Sequence, residues 1–155
     1  PLLIRYVQEY ILRRGRLVTL VLSGRDPIEL TSYQQVFVRD VGFLSEQDKA
    51  NAFAAADVFV HAGTQESFAF VLMEAWLQGR PALVNRTCAG TAGAVAEARG
   101  GLDFDDFASF AAALDILLEH PDIAATFGAS GQSYVHAHCR WPDVATRVVA
   151  AVLGT

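Results

Sequence analysis

A chain of 155 residues with 52% apolar and 19% charged side chains is one domain's worth of sequence, apolar enough to cover its central elements on both sides. A net charge of −5 and a pI near 5.2 argue against a nucleic-acid module and against a polybasic membrane patch. No apolar run approaches the roughly 18 residues of a membrane span, so the apolar share is assigned to a core.

In chain order, Leu2, Leu3, Tyr6, Val7, Tyr10 and Ile11 recur at i, i+3 and i+4 spacing, which predicts an amphipathic helix over 2–14. RLVTLVLSG, ending at Gly24, reads as a buried strand, and QVFVRDVGF as a second. SEQDKANAFAAA opens with Ser45 and has Asp48 three residues on, a capping-box-like helix start. DVFVHAG is a third strand, closed by Gly63. A helix is expected from about 67 to 78, stopped by Gly79 and Pro81, and ALVN follows as a strand.

Gly90, Gly93, Gly100 and Gly101 mark residues 86–101 as a loop around the short helix AGAVAEA. FASFAAALDILLEH reads as an amphipathic helix ended by Pro121. DIAATFGASGQSYVHAHC reads as another, containing Gly128 and Gly131. PDVATRVVAAVL closes the chain, with Pro142 suited to a first helical position. Alternating strands and helices predict an α/β fold, a Rossmann-like parallel sheet with helices on both faces. Ligands in such sheets bind at the carboxyl ends of the strands. The chain starts at Pro1 without Met and enters helical spacing directly, so the expectation is a piece of something longer with no signal peptide.

Several chemistries are excluded or weak. There is no G-x-x-x-x-G-K-[ST] and no G-x-G-x-x-G after the first strand, which argues against a P-loop kinase and a dinucleotide oxidoreductase. Cys88 and Cys139 stand in no metal-type spacing and suit a reducing compartment. HAHCR, residues 136–140, places its histidines at i and i+2, which do not share a helix face. Asp103, Asp105 and Asp106 read first as helix caps, and His61 as an edge histidine beside a possible site. Arg80 and Arg86 flank ALVN and suit either a surface or a phosphate.

The richest stretch is QESFAFVLMEAWLQGRPALV, where Glu66 and Glu74 enclose seven uncharged residues. A lone buried carboxylate is costly, so Glu74 needs water or a partner. Glu66 at a helix start suits either the positive helix end or a ligand at the strand's edge. On one continuous helix the pair would stand about 80° apart, too far for a close acid–base dyad but able to touch one extended ligand. The backbone N–H groups of Ser67, Phe68 and Ala69 between them would suit a phosphate.

The segment GFLSEQDKANAFAAADVFVHAGTQESFAFVLMEAWLQGRPALVN resembles the donor-binding half of family 4 (group 1) glycosyltransferases, which have the two-domain GT-B fold. The likeness continues through GGLDFDDFASFAAAL to the Trp141 region. In that family E-x-F-G opens a helix, a second Glu follows eight residues after the first, and a Gly and Pro introduce the next strand. The resemblance implies that Glu66 contacts the donor sugar near the reacting centre and that Glu74 hydrogen-bonds ribose hydroxyls. It implies that the backbone of Ser67, Phe68, Ala69 and Phe70 meets the sugar and diphosphate, and that the backbone at Leu44 reads the nucleobase. Ala62 and Gly63 stand where the family often has Pro-Ser, and Ala69 where it has Gly.

On this resemblance, residues 1–155 are the nucleotide-sugar binding domain, truncated at its N-terminal edge. The acceptor-binding N-terminal domain and the phosphate-binding Arg and Lys would then lie outside them. The implied activity is transfer of a sugar, of hexosyl type, from a nucleotide sugar to a glycan or lipid-linked acceptor with retention of configuration. It needs no cofactor and no metal, and the fragment alone is expected to be inactive. A cytoplasmic location is implied, with contact to the inner membrane face through the missing domain. Two other readings stand beside it: a GT-B-like module kept for binding or scaffolding, and a nucleotide-sugar epimerase of GT-B fold.

Overall fold

The computed structural model describes residues 2–66, 69–139 and 141–153. The chain alternates as expected: α1 (Leu2–Arg14), β1 (Leu20–Leu22), α2 (Gln34–Phe37), β2 (Val38–Asp40), α3 (Glu46–Ala55), β3 (Phe59–His61) and α4 (Phe70–Leu77). It continues with β4 (Ala82–Asn85), α5 (Ala89–Ala98), β5 (Gly101–Phe104), α6 (Phe107–Glu119), α7 (Pro121–His138) and α8 (Trp141–Leu153). Every strand pairing is parallel. β1 pairs with β2, and β3, β4 and β5 form a second group in that order, with Phe59 opposite Ala82 and Ala82 opposite Gly101.

All four residues of β4 are buried, so this strand is covered on both faces. Its side chains alternate between two cores, as a strand's period of two requires. Leu83 joins Ile4, Val7 and Tyr10 of α1 and Phe110, Leu114 and Leu117 of α6. Ala82 and Val84 join Leu72, Met73 and Trp76 of α4, Val95 of α5 and Val135 of α7. Leu20, Leu22 and Val38 of the first strand pair pack on the same core as Leu83, so both strand groups share one apolar layer.

Three elements differ from the sequence expectation, and the first is β1, which is only Leu20–Leu22 with Val21 exposed where a longer buried strand was expected. QVFVRDVGF divides into the short helix α2 and the three-residue strand β2. Thr31 and Gln34 close the turn that starts α2, each backbone N–H donating to the other's side chain at 3.1 and 3.3 Å, and this buries Phe37. Residues 86–101 hold a ten-residue helix, α5, leading into β5, a strand that its glycines conceal. Gly101 lies opposite Ala82, where a β-carbon would come within 1.9 Å of the Ala82 carbonyl oxygen. Glycine is depleted in strands, yet here the strand requires it.

α7 runs unbroken through Gly128 and Gly131, and both serve close packing. A β-carbon on Gly128 would meet the Gly79 carbonyl at 2.0 Å, and one on Gly131 would meet the Trp76 indole at 2.3 Å. Tyr10 donates its hydroxyl to Asp115 Oδ1 at 2.7 Å, tying α1 to α6, and burial together with that carboxylate pushes its pKa up to about 12.

Asp106 caps α6. It accepts from the Ser109 backbone at 2.8 Å, and the Ser109 hydroxyl accepts from the Asp106 backbone at 3.1 Å. The Ser109 backbone and side chain hold the Asp106 carboxyl below its ordinary range. A depressed folded-state pKa means the cap is fully present above the unfolded value, near 3.9, and is lost as pH falls through the folded value. Asp106→Ala is therefore expected to lower the thermal midpoint at pH 7 by about 2–4 °C. The deficit should shrink in melts at a pH below both values, where only the weaker neutral cap remains; a deficit of the same size there would contradict a charged cap.

Candidate functional site at the carboxyl ends of the strands

The candidate site is built on β3, the loop after it and α4. His61 ends β3, Glu66 lies exposed in the loop, and α4 begins at Phe70 with Ala69 as its N-cap. Asn85, buried at the end of β4, fixes the neighbouring loops. Its side-chain amide donates to the Ala62 carbonyl at 3.4 Å, and its Oδ1 accepts from the Thr87 backbone at 3.0 Å and hydroxyl at 2.8 Å. Cys88, the N-cap of α5, places its Sγ 4.0 Å from the Glu66 carbonyl, so the Glu66 backbone is held against the β4–α5 turn. Burial pushes the Cys88 thiol up, but hydrogen bonding with Thr91, Gly90 and Glu66 outweighs it and leaves the pKa below its ordinary value.

Glu66 and Glu74 do not share a helix. Glu66 precedes the first residue of α4 by four positions, so the 80° separation of a continuous helix does not apply. Ser67 and Phe68 lie outside the described residues. Ala69 is 7% exposed and adopts φ −81°, a conformation open to any residue, so alanine causes no backbone strain at this position. Phe70 is 70% exposed, and Leu44, half-buried, precedes the α3 cap Ser45. Ser45 accepts from the Asp48 backbone at 3.1 Å, as its sequence pattern predicts.

Glu74, its side chain 32% exposed, takes its partner from α3. Lys49 Nζ lies 2.8 Å from Glu74 Oε1 and 3.0 Å from Glu46 Oε2. The hydrogen bond to Glu74 is the largest influence raising the Lys49 pKa, followed by the one to Glu46. The second Glu74 oxygen, Oε2, is buried and has no hydrogen-bond partner among the described residues. His61 Nδ1 is likewise buried and without a partner among them. Sequence reasoning missed Lys49; the available signal was that it is the single lysine in the chain.

The weaker candidates fall into structural roles. Arg86 bridges Asp103 and Asp105, each at 2.7 Å, and these carboxylates raise its pKa. Arg80 donates to the carbonyls of Ala56 and Gln78, both at 3.0 Å, and so ties the end of α3 to the end of α4. His136 and His138 fall in the last turn of α7, and Arg140 lies outside the described residues. No group of three or more possible metal ligands occurs among the described residues. No helix among them is long and apolar enough to cross a membrane.

The sequence model of the glycosyl transferases group 1 matches residues 1–120. The chain belongs to the group 1 glycosyltransferase family. A search of curated proteins gives no match. Among solved structures, sucrose-phosphate synthase from Thermosynechococcus elongatus aligns with a TM-score of 0.78 at 22% identity, over 97% of this chain and 41% of that one. Anabaena HepE, solved in complex with UDP-glucose, aligns with a TM-score of 0.73 at 23% identity, over 97% of this chain and 44% of its own. WaaG, a glycosyltransferase involved in lipopolysaccharide biosynthesis, aligns with a TM-score of 0.64 at 18% identity, over 83% and 46%. These likenesses show the fold, and this group 1 glycosyltransferase chain spans less than half the length of each.

Proposed function

We propose that residues 1–155 form the donor-binding domain of a retaining glycosyltransferase that moves a sugar from a nucleotide sugar to a glycan or lipid-linked acceptor. In this reading the acceptor is bound by a separate domain, and transfer needs both parts. Glu74 holds the ribose, Glu66 meets the donor sugar beside the reacting centre, and the backbone of Ser67 to Phe70 faces the sugar and diphosphate. Leu44 contacts the nucleobase through its backbone.

The observation that carries the reading is the Glu74 carboxylate. It stands on the helix that leaves a strand's carboxyl end, with one oxygen held by Lys49 and the other buried without a partner. A buried acceptor left without a donor is unfavourable, and a ribose hydroxyl supplies a donor of the right kind. Family membership and the Glu66–Glu74 spacing support the same assignment, and HepE, of similar fold, is a protein solved with UDP-glucose. The reaction in this reading uses no catalytic metal: the positive amino end of α4 favours the negative charge that develops on the leaving diphosphate.

Glu74→Gln in the full-length protein is expected to weaken binding of a nucleoside diphosphate by about tenfold, measured by calorimetry across UDP, GDP and ADP. The amide keeps the size of the side chain but loses its charge, so it offers a weaker acceptor to a diol. Unchanged affinity for the nucleotide that binds best would remove the ribose assignment.

A further inference from the structure

We propose that Lys49 is a positioning residue for the ribose of the donor nucleotide, acting through Glu74; this rests on the ribose reading of Glu74. The geometry on both sides of the carboxylate carries it. Lys49 holds Oε1 at 2.8 Å, and Oε2 is buried with no partner among the described residues. A carboxylate held at one oxygen by an ammonium group loses rotational freedom, and its other oxygen is aimed in one direction. The exposed Glu46 carboxylate also meets the ammonium, at 3.0 Å.

A pair serving only to pin α3 to α4 would be expected to satisfy both oxygens, because buried carboxylate oxygens in folded proteins are almost always paired. Here the ion pair satisfies one oxygen and leaves the other open. Arg80 already joins the ends of the same two helices through backbone carbonyls, so Lys49 is not their only tie. A carboxylate acceptor forms a stronger bond to a hydroxyl than a neutral one does. The consequence is specificity: the Lys49–Glu74 unit discriminates a ribose from a sugar that lacks a hydroxyl.

The test compares a ribonucleoside diphosphate with its 2′-deoxy analogue, using whichever of UDP, GDP and ADP the full-length protein binds best. Calorimetry on wild type, Lys49→Met, Lys49→Arg and Glu74→Gln gives the ribo-to-deoxy affinity ratio for each, and thermal melts report folding. Wild type is expected to prefer the ribonucleotide by about tenfold, with Lys49→Met losing most of that preference and leaving deoxynucleotide affinity unchanged. Lys49→Arg should restore the preference in part. A collapsed ratio in Glu74→Gln with a wild-type ratio in Lys49→Met overturns the role of Lys49 and leaves the ribose reading standing. An unchanged ratio in Glu74→Gln overturns the role of Lys49, and together with unchanged ribonucleotide affinity it overturns the ribose reading as well. Equal loss of both nucleotides in Lys49→Met with a lowered melting point marks a structural pin and overturns the proposal.

Discussion

Glu66→Ala in the full-length protein is expected to lower turnover by about 10²–10³-fold while leaving affinity for a nucleoside diphosphate within about twofold. The side chain is exposed in the loop that leaves β3, while its backbone is held against the Cys88 turn. That combination suits a group presented to a ligand on a fixed support. If Glu66 meets the donor sugar beside the reacting centre, its interactions strengthen as the sugar departs. Such a loss appears in kcat and kcat/KM together and spares ground-state nucleotide binding.

The rival role for Glu66 is to favour the amino end of α4 by charge. Removing a helix-end carboxylate loosens the segment before Phe70 and so disturbs nucleotide and sugar alike. Loss of nucleotide affinity equal to the loss of turnover would assign Glu66 to the helix end. Single-turnover measurements with saturating nucleotide sugar separate the two, because they read the chemical step apart from binding.

What the sequence could disclose depended on how local each cause is. α1, α3 and α6 were legible because apolar periodicity and the Ser45 cap are properties of neighbouring residues. β3 and β4 were legible because strands covered on both faces read as continuous apolar runs. β5 was hidden: Gly101 is dictated by the Ala82 backbone across the sheet, a contact 19 positions away in the chain that looks locally like loop composition. α2 was hidden for the converse reason, since Phe37 and Val38 continue an apolar run that a four-residue helix interrupts.

The site divides in the same way. Glu66 and Glu74 could be found from their spacing and from the family pattern. The partner of Glu74 could not, because Lys49 reaches it only once α3 has packed on α4, and its cap and helix spacing say nothing of that contact. Arg86 stood open between a surface and a phosphate role because its partners are not its chain neighbours: the Asp103 and Asp105 carboxylates engage its guanidinium from β5 and the turn after it.

Trp76→Ala is expected to destabilise the fold by about 3–5 kcal/mol. The indole is fully buried between α4, α5 and α7, and its Nε1–H donates to the Gly100 carbonyl at 2.9 Å. Tyr134 meets it edge-on at 5.9 Å. Gly100 and Gly131 lie so near the ring that a β-carbon on either would come within 2.5 and 2.3 Å of it. The neighbours have therefore been reduced to glycine to admit the indole, and backbone cannot collapse into the space it leaves. The Gly100 carbonyl also accepts from the Ala82 backbone at 3.0 Å, so the larger part of the loss comes from the cavity. Trp76→Phe should lose less, since it keeps a ring in the slot and sacrifices mainly the N–H bond. Urea denaturation of the two variants and wild type measures the midpoint shift at constant slope. A loss below about 1 kcal/mol in Trp76→Ala would mean that the surrounding helices repack around the void. The variant also bears on the site, because Trp76 lies two residues beyond Glu74 on α4. A helix loosened at Trp76 no longer aims Glu74 Oε2, so nucleotide affinity should fall along with stability.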